Sequence, residues 1–499
     1  MALAPYFHKA ALGSSALMPG VSVEEVSRLM GPLAVTVRFG EDAIQSPEGR
    51  VALELLTNLL ARFYPTLNFD GVGEEASDFG KHLAETATRI NPVIEFSVAK
   101  PPYITVGTIP PERPGFSAFI GSDGWNACFS TRSPQGIGQS RNPLGGAAAA
   151  CFGAAAVFRH FFHRQLGVTE PSEEFVLSIL DYSRVPCTLV EPLDYDLGEA
   201  ALAGVGAIGN AAVWLLARSQ CKGRIHLVDP EATDNTNPQR YVLTHANSGG
   251  EDKVTLAARE LGRSHLEPVP HKGTWGSFVR QQPDWKIPMV AVALDSPEDR
   301  VAVQASLPRW ILNSWTQAND LGVSRHEFNS DSACLACMYW PKKQKRNLDE
   351  IIKEAIRYGG ELMDIRNMLY FGTGLDDGWL ERISRDMGQA RELLEPFKGK
   401  TIDTFYREAI CGGHVIAAEG GKIEVPMAFQ SAMAGIMLAA EIVKYGRAGL
   451  KLETHMVTTK MDLLRPMGTH LSESYKKRSD VACICSDRDY GERYAEKYV

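Results

Sequence analysis

The chain has 499 residues, which is room for about two to four domains with large buried cores. Its content of 44% hydrophobic and 22% charged residues is ordinary for a globular protein. The net charge of -8 and the pI near 5.9 exclude a protein that holds nucleic acid mainly through phosphate contacts.

The N-terminal residues show no cationic start followed by a long apolar run, so a signal peptide is not expected. The longest apolar run, Leu144 to Phe158, is rich in Ala and Gly and is shorter than a bilayer span. It predicts a buried helix. We therefore expect a cytoplasmic protein that binds neither a membrane nor nucleic acid.

The first part of the chain, residues 1–190, alternates strand-like and helical segments. The predicted strands are 32–40, 103–109 and 116–121. The predicted helices are 49–64, 78–90 and a long apolar helix from about 144 to 163. This alternation predicts an α/β domain, but no complete glycine loop occurs in it.

The second part, residues 191–499, begins with a nucleotide-binding pattern. A short apolar strand leads into Gly204-x-Gly206-x-x-Gly209, an apolar helix follows, and a second strand ends at Asp229. In such a βαβ unit the first glycine permits a tight turn and the second lets a phosphate approach the backbone. The third lets helix and strand pack closely, and the acidic residue accepts ribose hydroxyls.

The glycine pattern alone serves NAD, FAD and ATP enzymes, so the polar residues that follow decide the ligand. Asn237 and Arg240 lie in one loop, Lys253 is placed about a turn into the next helix, and Asp295 ends a third strand. Two cations and a carboxylate suit a triphosphate with Mg²⁺, for which NAD has no need. The alternatives are solvated surface charges and an NAD-binding module.

Nine cysteines, an odd number in a long chain, favour thiol or metal chemistry over a disulfide scaffold. Cys334-x-x-Cys337 has zinc-knuckle spacing, and Cys483-x-Cys485 lies near the C-terminus. Together the four thiols predict a tetrahedral zinc site that ties the tail to the core. Unrelated thiols are the alternative.

Residues 341–410 are charged and helical in pattern, and Cys411 follows them, just before Gly412 and Gly413. A nucleophilic cysteine needs access and a stabilised thiolate, and two glycines leave its thiol uncrowded. Taken alone, a Cys-Gly-Gly sequence more often marks a structural cysteine than a nucleophile.

These motifs together resemble the ThiF/MoeB/E1 superfamily, whose members adenylate ubiquitin-like proteins. The resemblance covers residues 191–499 and rests on the order and spacing of the site residues. These are Gly204, Gly206, Gly209, Asp229, Asn237, Arg240, Lys253, Asp295, Cys334, Cys337, Cys483 and Cys485. Two positions depart from the family pattern: Glu231 stands for a second aspartate, and Tyr241 stands for the glutamine that closes the loop.

The resemblance implies an α/β, Rossmann-like adenylation domain that uses ATP, Mg²⁺ and a structural Zn²⁺. It implies that region 341–415 is an inserted helical domain and that Cys411 forms a thioester with a ubiquitin-like protein for transfer to an E2-like partner. Residues 1–190 then resemble an inactive adenylation-like domain, and Arg141 is the candidate for the arginine that such a domain directs at the γ-phosphate.

The expected setting is a bacterial conjugation system in antiviral defence. The sequence is compatible with a homodimer. The alternative is a sulfur-carrier adenylyltransferase of the ThiF/MoeB type, which makes the adenylate without a thioester.

Overall fold

The computed structural model describes residues 6–18, 20–189, 193–282, 286–317, 320–340, 347–411, 426–446, 457–467, 471–478 and 482–498. Contacts between Cα atoms divide it into two compact units. One comprises residues 1–340 and 426–499, and the other comprises residues 341–425.

The first sheet lies in residues 34–178 and is mostly parallel. In chain order its region contains α1 (Phe7–Leu17), α2 (Val23–Met30), β1 (Ala34–Gly40), α3 (Glu41–Gln45), α4 (Pro47–Ala61), β2 (Thr66–Val72), α5 (Glu74–Ile90), β3 (Glu95–Phe96), β4 (Tyr103–Val106), β5 (Ser117–Asp123), β6 (Asn126–Ser130), α6 (Leu144–Leu166) and β7 (Glu174–Ser178). Among the described residues the strand order is β3-β2-β1-β4-β5-β6-β7.

The second sheet follows in the same compact unit. Its elements are β8 (Asp196–Ala203), α7 (Ala207–Leu216), β9 (Lys222–Asp229), α8 (Lys253–Leu261), β10 (Leu266–Lys272), α9 (Trp275–Arg280), β11 (Met289–Val292), α10 (Pro297–Ala305), β12 (Trp310–Thr316), β13 (Leu321–Glu327) and α11 (Leu335–Tyr339). In the part of the chain that is described, its strand order is β10-β9-β8-β11-β12-β13, followed by two later strands, β14 (Thr458–Met461) and β15 (Leu471–Glu473).

The separate unit, residues 341–425, is helical where it is described. It contains α12 (Leu348–Ala355), α13 (Leu362–Phe371), α14 (Asp377–Met387) and α15 (Ile402–Phe405), and a π-helical turn ends at Cys411. It has an apolar core of its own, centred on Ile365, Leu380 and Phe405. The chain then returns through α16 (Ala428–Gly446), β14 (Thr458–Met461), β15 (Leu471–Glu473) and α17 (Arg488–Tyr498).

The two sheets repeat one topology. From β3 to β5 in the first sheet and from β10 to β12 in the second, neighbouring strands are parallel, and the strands that follow are antiparallel. α4 follows β1 as α7 follows β8, and α6 precedes β7 as α16 precedes β14. The fold is therefore mixed α/β with two parallel-dominated sheets, which confirms the predicted class.

Helices α6 and α16 pack against each other between the two sheets, and Phe158 meets Phe429 there with ring centroids 5.7 Å apart. By length and composition α6 would be able to cross a membrane, yet most of it is buried inside this core. Small residues allow the close packing: a Cβ on Gly435 of α16 would lie 2.5 Å from the Ala211 side chain of α7. We call the region that holds the first sheet the first half and the region that holds the second sheet the second half. One apolar cluster runs through both halves, so they form a single compact unit.

Polar contacts cross between the halves in matching places. Beyond β7, the Tyr182 hydroxyl donates to Glu441 on α16 at 2.8 Å. Beyond β14, the Met467 amide donates to Glu173 at 3.2 Å, and Arg159 on α6 pairs with the same carboxylate. The segment after β7 thus reaches α16 of the second half. The segment after β14 likewise reaches Glu173, the partner of Arg159 on α6 of the first half.

The predicted elements are present, with shifted ends. The helix predicted at 78–90 begins at Glu74, and the strand predicted to reach Asp295 ends at Val292. Lys253 is the first residue of α8 rather than lying a turn inside it. The strands that the prediction missed include β2, although its residues TLNFD alternate polar and apolar, and the short β6 and β7, which show no such alternation.

Candidate functional site

The glycine loop connects β8 to α7 at the carboxyl edge of the second sheet. Gly204 has φ +92°, and a Cβ on it would lie 2.6 Å from the Ala293 carbonyl oxygen. A Cβ on Gly209 would lie 2.2 Å from the Gly204 carbonyl oxygen. At Gly206 the nearest such atom is the Tyr241 hydroxyl, at 3.6 Å. The loop is therefore compact at both ends and open at its centre, where an anion can approach backbone N–H groups at the start of a helix.

Asp229 ends β9 beside this loop and is buried. Its two carboxylate oxygens accept from the Val205 amide at 2.8 Å and the Glu231 amide at 2.9 Å. Burial raises its pKa, although Lys253 and these two amides act in the opposite direction. Each oxygen keeps a second lone pair, so the carboxylate can still accept from a ribose hydroxyl.

Asn237 and Arg240 lie in a tight turn that folds back on Asp234. The Asp234 carboxylate accepts from the Asn237 amide at 3.0 Å, and the Asn237 side chain accepts from the Asp234 amide at 3.2 Å. The turn continues as a short 3₁₀ helix, Asn237–Gln239, and Arg240 ends it half-buried. Within the described part of the chain, no hydrogen bond or ion pair engages the Arg240 guanidinium.

Lys253 is buried with its ammonium group toward the same edge. It pairs with the exposed carboxylate of Glu231 and lies 5.4 Å from the centre of the Tyr241 ring. Burial alone would lower its pKa, but Tyr241, Asp229 and Glu231 outweigh that effect and the pKa is raised. Lys253 is therefore positively charged, and its partner Glu231 is exposed to solvent.

Asp295 is exposed in the segment after β11, which is the strand next to β8. The Ala293 amide donates to the Ala203 carbonyl at 2.8 Å, and Arg300 donates to the Leu294 carbonyl at 2.9 Å. These bonds fix the backbone that leads into Asp295, and the Ala293 carbonyl of this backbone lies against Gly204 of the glycine loop. An exposed carboxylate beside a phosphate-binding loop has the chemistry that Mg²⁺ requires.

A cation that the sequence analysis missed comes from α1. The Lys9 ammonium donates to the Thr236 hydroxyl at 2.8 Å, and burial, together with Arg240 and Lys253, lowers its pKa while Asp234 raises it. No motif marks α1, so only the fold reveals this residue. Arg141, the predicted candidate for such a cation, is exposed just before α6.

The four predicted zinc ligands converge. The sulfur of Cys334 lies 3.7 Å from that of Cys337 and 3.6 Å from that of Cys483. The sulfur of Cys337 lies 3.4 Å from Cys483 and 3.5 Å from Cys485. A tetrahedral ion with Zn–S bonds of about 2.3 Å separates its sulfurs by about 3.8 Å, so the four thiols fit zinc. The close spacing of Cys483 and Cys485 is accommodated because a 3₁₀ turn begins after Cys483.

Cys411 is the last residue of the π-helical turn Tyr406–Cys411, in the helical unit. Its side chain lies outside the described residues, as do Gly412 and Gly413. The predicted role of Cys411 therefore stays a prediction.

Family models match two regions of the chain. Residues 38–163 match the prokaryotic E2 family C, and residues 198–481 match the ThiF family. Within the first of these ranges burial raises the pKa of Cys128 to about 11 and raises that of the fully buried Cys151 as well. Neither thiol has the lowered pKa and open access of a reactive cysteine.

The chain is also similar to an intact relative and to solved structures. The uncharacterized protein y4jF of Sinorhizobium fredii is 39% identical over 508 residues, covering 100% of this chain and 98% of the relative. Crystal structures of MccB from E. coli with ATP and with selenomethionine MccA are 13% and 15% identical. They cover 73% and 66% of this chain and 97% and 74% of theirs, each with a TM-score of 0.37.

The ThiF match spans more than half of the chain and includes the glycine loop, the polar edge and two of the four clustered cysteines, Cys334 and Cys337. The motifs that suggested the family from sequence lie together at one sheet edge and in one thiol cluster. The chain belongs to the ThiF family of E1-like adenylyltransferases.

Proposed function

We propose that the protein uses ATP to adenylate the C-terminal carboxylate of a ubiquitin-like protein at the carboxyl edge of the second sheet. The observation that carries this proposal is that the half-buried Arg240 has no partner among the described residues and directly precedes Tyr241, whose hydroxyl faces the open centre of the glycine loop. A buried or half-buried arginine normally finds a partner, and a triphosphate supplies one.

In the proposed reaction a carboxylate oxygen of the substrate attacks the α-phosphorus of ATP. The bond from that phosphorus to its bridging oxygen breaks, and pyrophosphate leaves with the electron pair. Arg240 and Lys253 stabilise the charge that develops on the phosphate oxygens. Lys9 approaches the same edge from α1 and is better placed than Arg141 to act as the further cation.

Asp229 would bind the ribose, and Asn237 would fix the turn that presents Arg240. Asp295 would hold Mg²⁺, which supplies charge neutralisation between the phosphates when it is bound. Glu231 would exchange its pairing with Lys253 for solvent as the nucleotide enters, since most of its side chain is already exposed.

The adenylate is proposed to pass to Cys411. The thiolate sulfur attacks the acyl carbon, AMP leaves, and the product is a thioester that an E2-like partner can accept. The position of Cys411 in a helical unit that interrupts the ThiF region supports this step. A bacterial conjugation pathway with a role in antiviral defence is the setting we propose.

The adenylation step is tested by exchange of labelled pyrophosphate into ATP, with purified bacterial ubiquitin-like proteins as substrates. Exchange should require a partner with a free C-terminal carboxylate and should fail with the C-terminal amide. Asp295→Asn should abolish it. Arg263→Met, an exposed arginine just beyond the last residue of α8, is the control and should leave it unchanged. Exchange that persists in Asp295→Asn would overturn the assignment.

The thioester step is tested on a non-reducing gel after incubation with ATP and the active partner. A thiol-sensitive adduct should form in the wild type and be missing in Cys411→Ala, while pyrophosphate exchange continues in both. An enzyme that exchanges pyrophosphate but never forms the adduct would instead be a sulfur-carrier adenylyltransferase of the ThiF/MoeB type.

The thiol cluster is proposed to bind one zinc ion that holds the C-terminal segment to α11. Elemental analysis of the purified protein should find one zinc per chain, and Cys485→Ser should lower the zinc content and the melting temperature. A full complement of zinc in Cys485→Ser would contradict a four-cysteine site.

A further inference from the structure

Arg62 lies at the end of α4 in the first half, yet its side chain bonds to the second half. Its guanidinium donates to the carbonyl oxygens of Val242 at 3.2 Å and Thr244 at 2.9 Å, and also to that of Pro238. Asn58, one turn earlier on α4, donates to the Val242 carbonyl at 2.9 Å. Arg62 and Asn58 of the first half therefore hydrogen-bond to the backbone on both sides of Arg240.

This arginine is unusual because its side chain is buried without a counter-charge. Arg62 is 1% exposed, and Asn58 accepts from two of its nitrogens at 3.0 and 2.9 Å. No carboxylate in the described residues forms an ion pair with it. Burial lowers its pKa to about 10, against the influence of Tyr6. An arginine costs much free energy to bury, so it is kept here for its geometry, which serves several carbonyl acceptors at once.

The carbonyls that it binds belong to one short segment with a special place in the site. The segment from Pro238 to Thr244 contains Arg240 and the adjacent Tyr241, whose side chain faces both the glycine loop and Lys253. Its other support from the second half is the Asn210 side chain on α7, which accepts from the Leu243 amide at 2.7 Å. Without Arg62, the carbonyls of Pro238 and Thr244 would lose this donor in a dry interior, and the Val242 carbonyl would keep only Asn58.

We propose that Arg62 is a positioning residue for the nucleotide site: it acts through the 238–244 backbone to hold Arg240 in its binding orientation. This inference rests on the proposed ATP site and adds to it that the first half completes the site from within the same chain. The first half is then a permanent partner of the second.

The test is calorimetric titration of the full chain with ATP and Mg²⁺, together with amide hydrogen exchange of the ligand-free protein. Arg62→Met should raise the Kd for ATP about tenfold, because charge-assisted hydrogen bonds that order the segment are lost. Amide exchange in residues 238–244 should become faster. Arg62→Lys keeps the buried charge with fewer donors, and it should fall between the wild type and Arg62→Met on both measurements.

The matched control is Arg159→Met. Arg159 is a buried arginine that also bonds across the halves, donating to the Arg465 carbonyl at 3.4 Å, but it contacts no residue of segment 238–244 in the described structure. It should lower the melting temperature as Arg62→Met does and leave both the Kd for ATP and the exchange of segment 238–244 unchanged.

Wild-type affinity and wild-type exchange in Arg62→Met would overturn the inference, and so would an equal loss of affinity in Arg159→Met. If Arg62→Met fails to fold, Arg62→Lys and Asn58→Ala give the same comparison. A wild-type protein that binds no ATP would overturn the proposed function, while the exchange measurement would still decide whether Arg62 orders the segment.

Discussion

The two sheets share one strand order, but their carboxyl edges are opposites: the edge of the second is open and the edge of the first is closed. In the second half, the start of α7 faces open space at Gly206. In the first half, the start of α4 carries Glu48, whose buried carboxylate accepts from the Ser122 hydroxyl at 2.6 Å and the Gly124 amide at 3.0 Å. It also accepts from the Ser140 amide at 3.0 Å.

This difference shows how one fold serves as either a site or a support. The third residue of the helix is a glycine in both halves, and a Cβ on Gly49 or Gly209 would lie 2.2 Å from a backbone oxygen of the segment before the helix, that of Ala43 in α3 or of Gly204 in the glycine loop. The packing of helix on strand is thus equally tight. The Glu48 carboxylate fills the position at the start of α4, whereas at the start of α7 the nearest atom that a Cβ on Gly206 would meet is the Tyr241 hydroxyl, at 3.6 Å.

The largest loss of stability is expected at the buried ion cluster around Glu441, which Tyr182 of the first half also contacts. Glu441 is buried between Arg325 and Lys444, and Glu441→Gln should cost about 4 kcal/mol of unfolding free energy because it leaves two buried cations without their carboxylate. Denaturant unfolding measures this loss. Glu473→Gln, a half-exposed carboxylate paired with Lys460, should cost less than about 1 kcal/mol, and equal losses would contradict the distinction.

The same cluster predicts an acid limit. Burial opposes the charge of Glu441, but Arg325 and Lys444 outweigh it and lower its pKa to about 2, from 4.5. Its contribution to stability is therefore complete above the unfolded pKa and is lost as the pH falls toward 2. Glu441→Gln should flatten this part of the plot of unfolding free energy against pH; an unchanged acid slope would contradict the assignment.

Arg240→Met should lower the activity at the open edge of the second sheet without lowering the stability of the protein. We expect a loss of about 10²-fold to 10³-fold in kcat/KM for pyrophosphate exchange, about 3 to 4 kcal/mol of transition-state stabilisation. The melting temperature of the ligand-free protein should hardly change, because the guanidinium has no partner in the described structure. A large fall in stability would show that Arg240 is a structural residue.

Glu48→Gln should lower the stability of the protein without lowering its activity. The amide cannot accept from all the donors that Glu48 satisfies, so the unfolding free energy should fall by about 2 kcal/mol. Pyrophosphate exchange by the folded protein should keep its KM for ATP. If exchange were lost while stability was retained, the first half would hold a site of its own.

The smallest effect should separate two candidate cations. Lys9→Met should lower kcat/KM for exchange about tenfold, the value of one charge-assisted hydrogen bond, and Arg141→Met should leave it unchanged. The opposite ranking of the two variants would restore Arg141 as the cation that acts from the first half.

The sequence was sufficient to predict the second sheet and its edge, because glycine spacing and residues after parallel strands depend on local geometry. Gly204, Asp229, Asn237 and Lys253 do come together. It could not predict Lys9 or Arg62, whose partners lie more than 170 residues away in the chain. That the first half is adenylation-like was expected only from the family resemblance, because the loop that would reveal a repeat from residues alone holds Glu48 in place of a glycine pattern.

The central claim is that only the second half binds nucleotide. Gly49→Ala and Gly209→Ala introduce the same clash at equivalent places, so calorimetric titration with ATP and Mg²⁺ on folded samples of both variants tests it most directly. We expect one ATP per chain in the wild type and in Gly49→Ala and none in Gly209→Ala. Binding that is lost in Gly49→Ala and retained in Gly209→Ala, or two ATP molecules per wild-type chain, would contradict the claim.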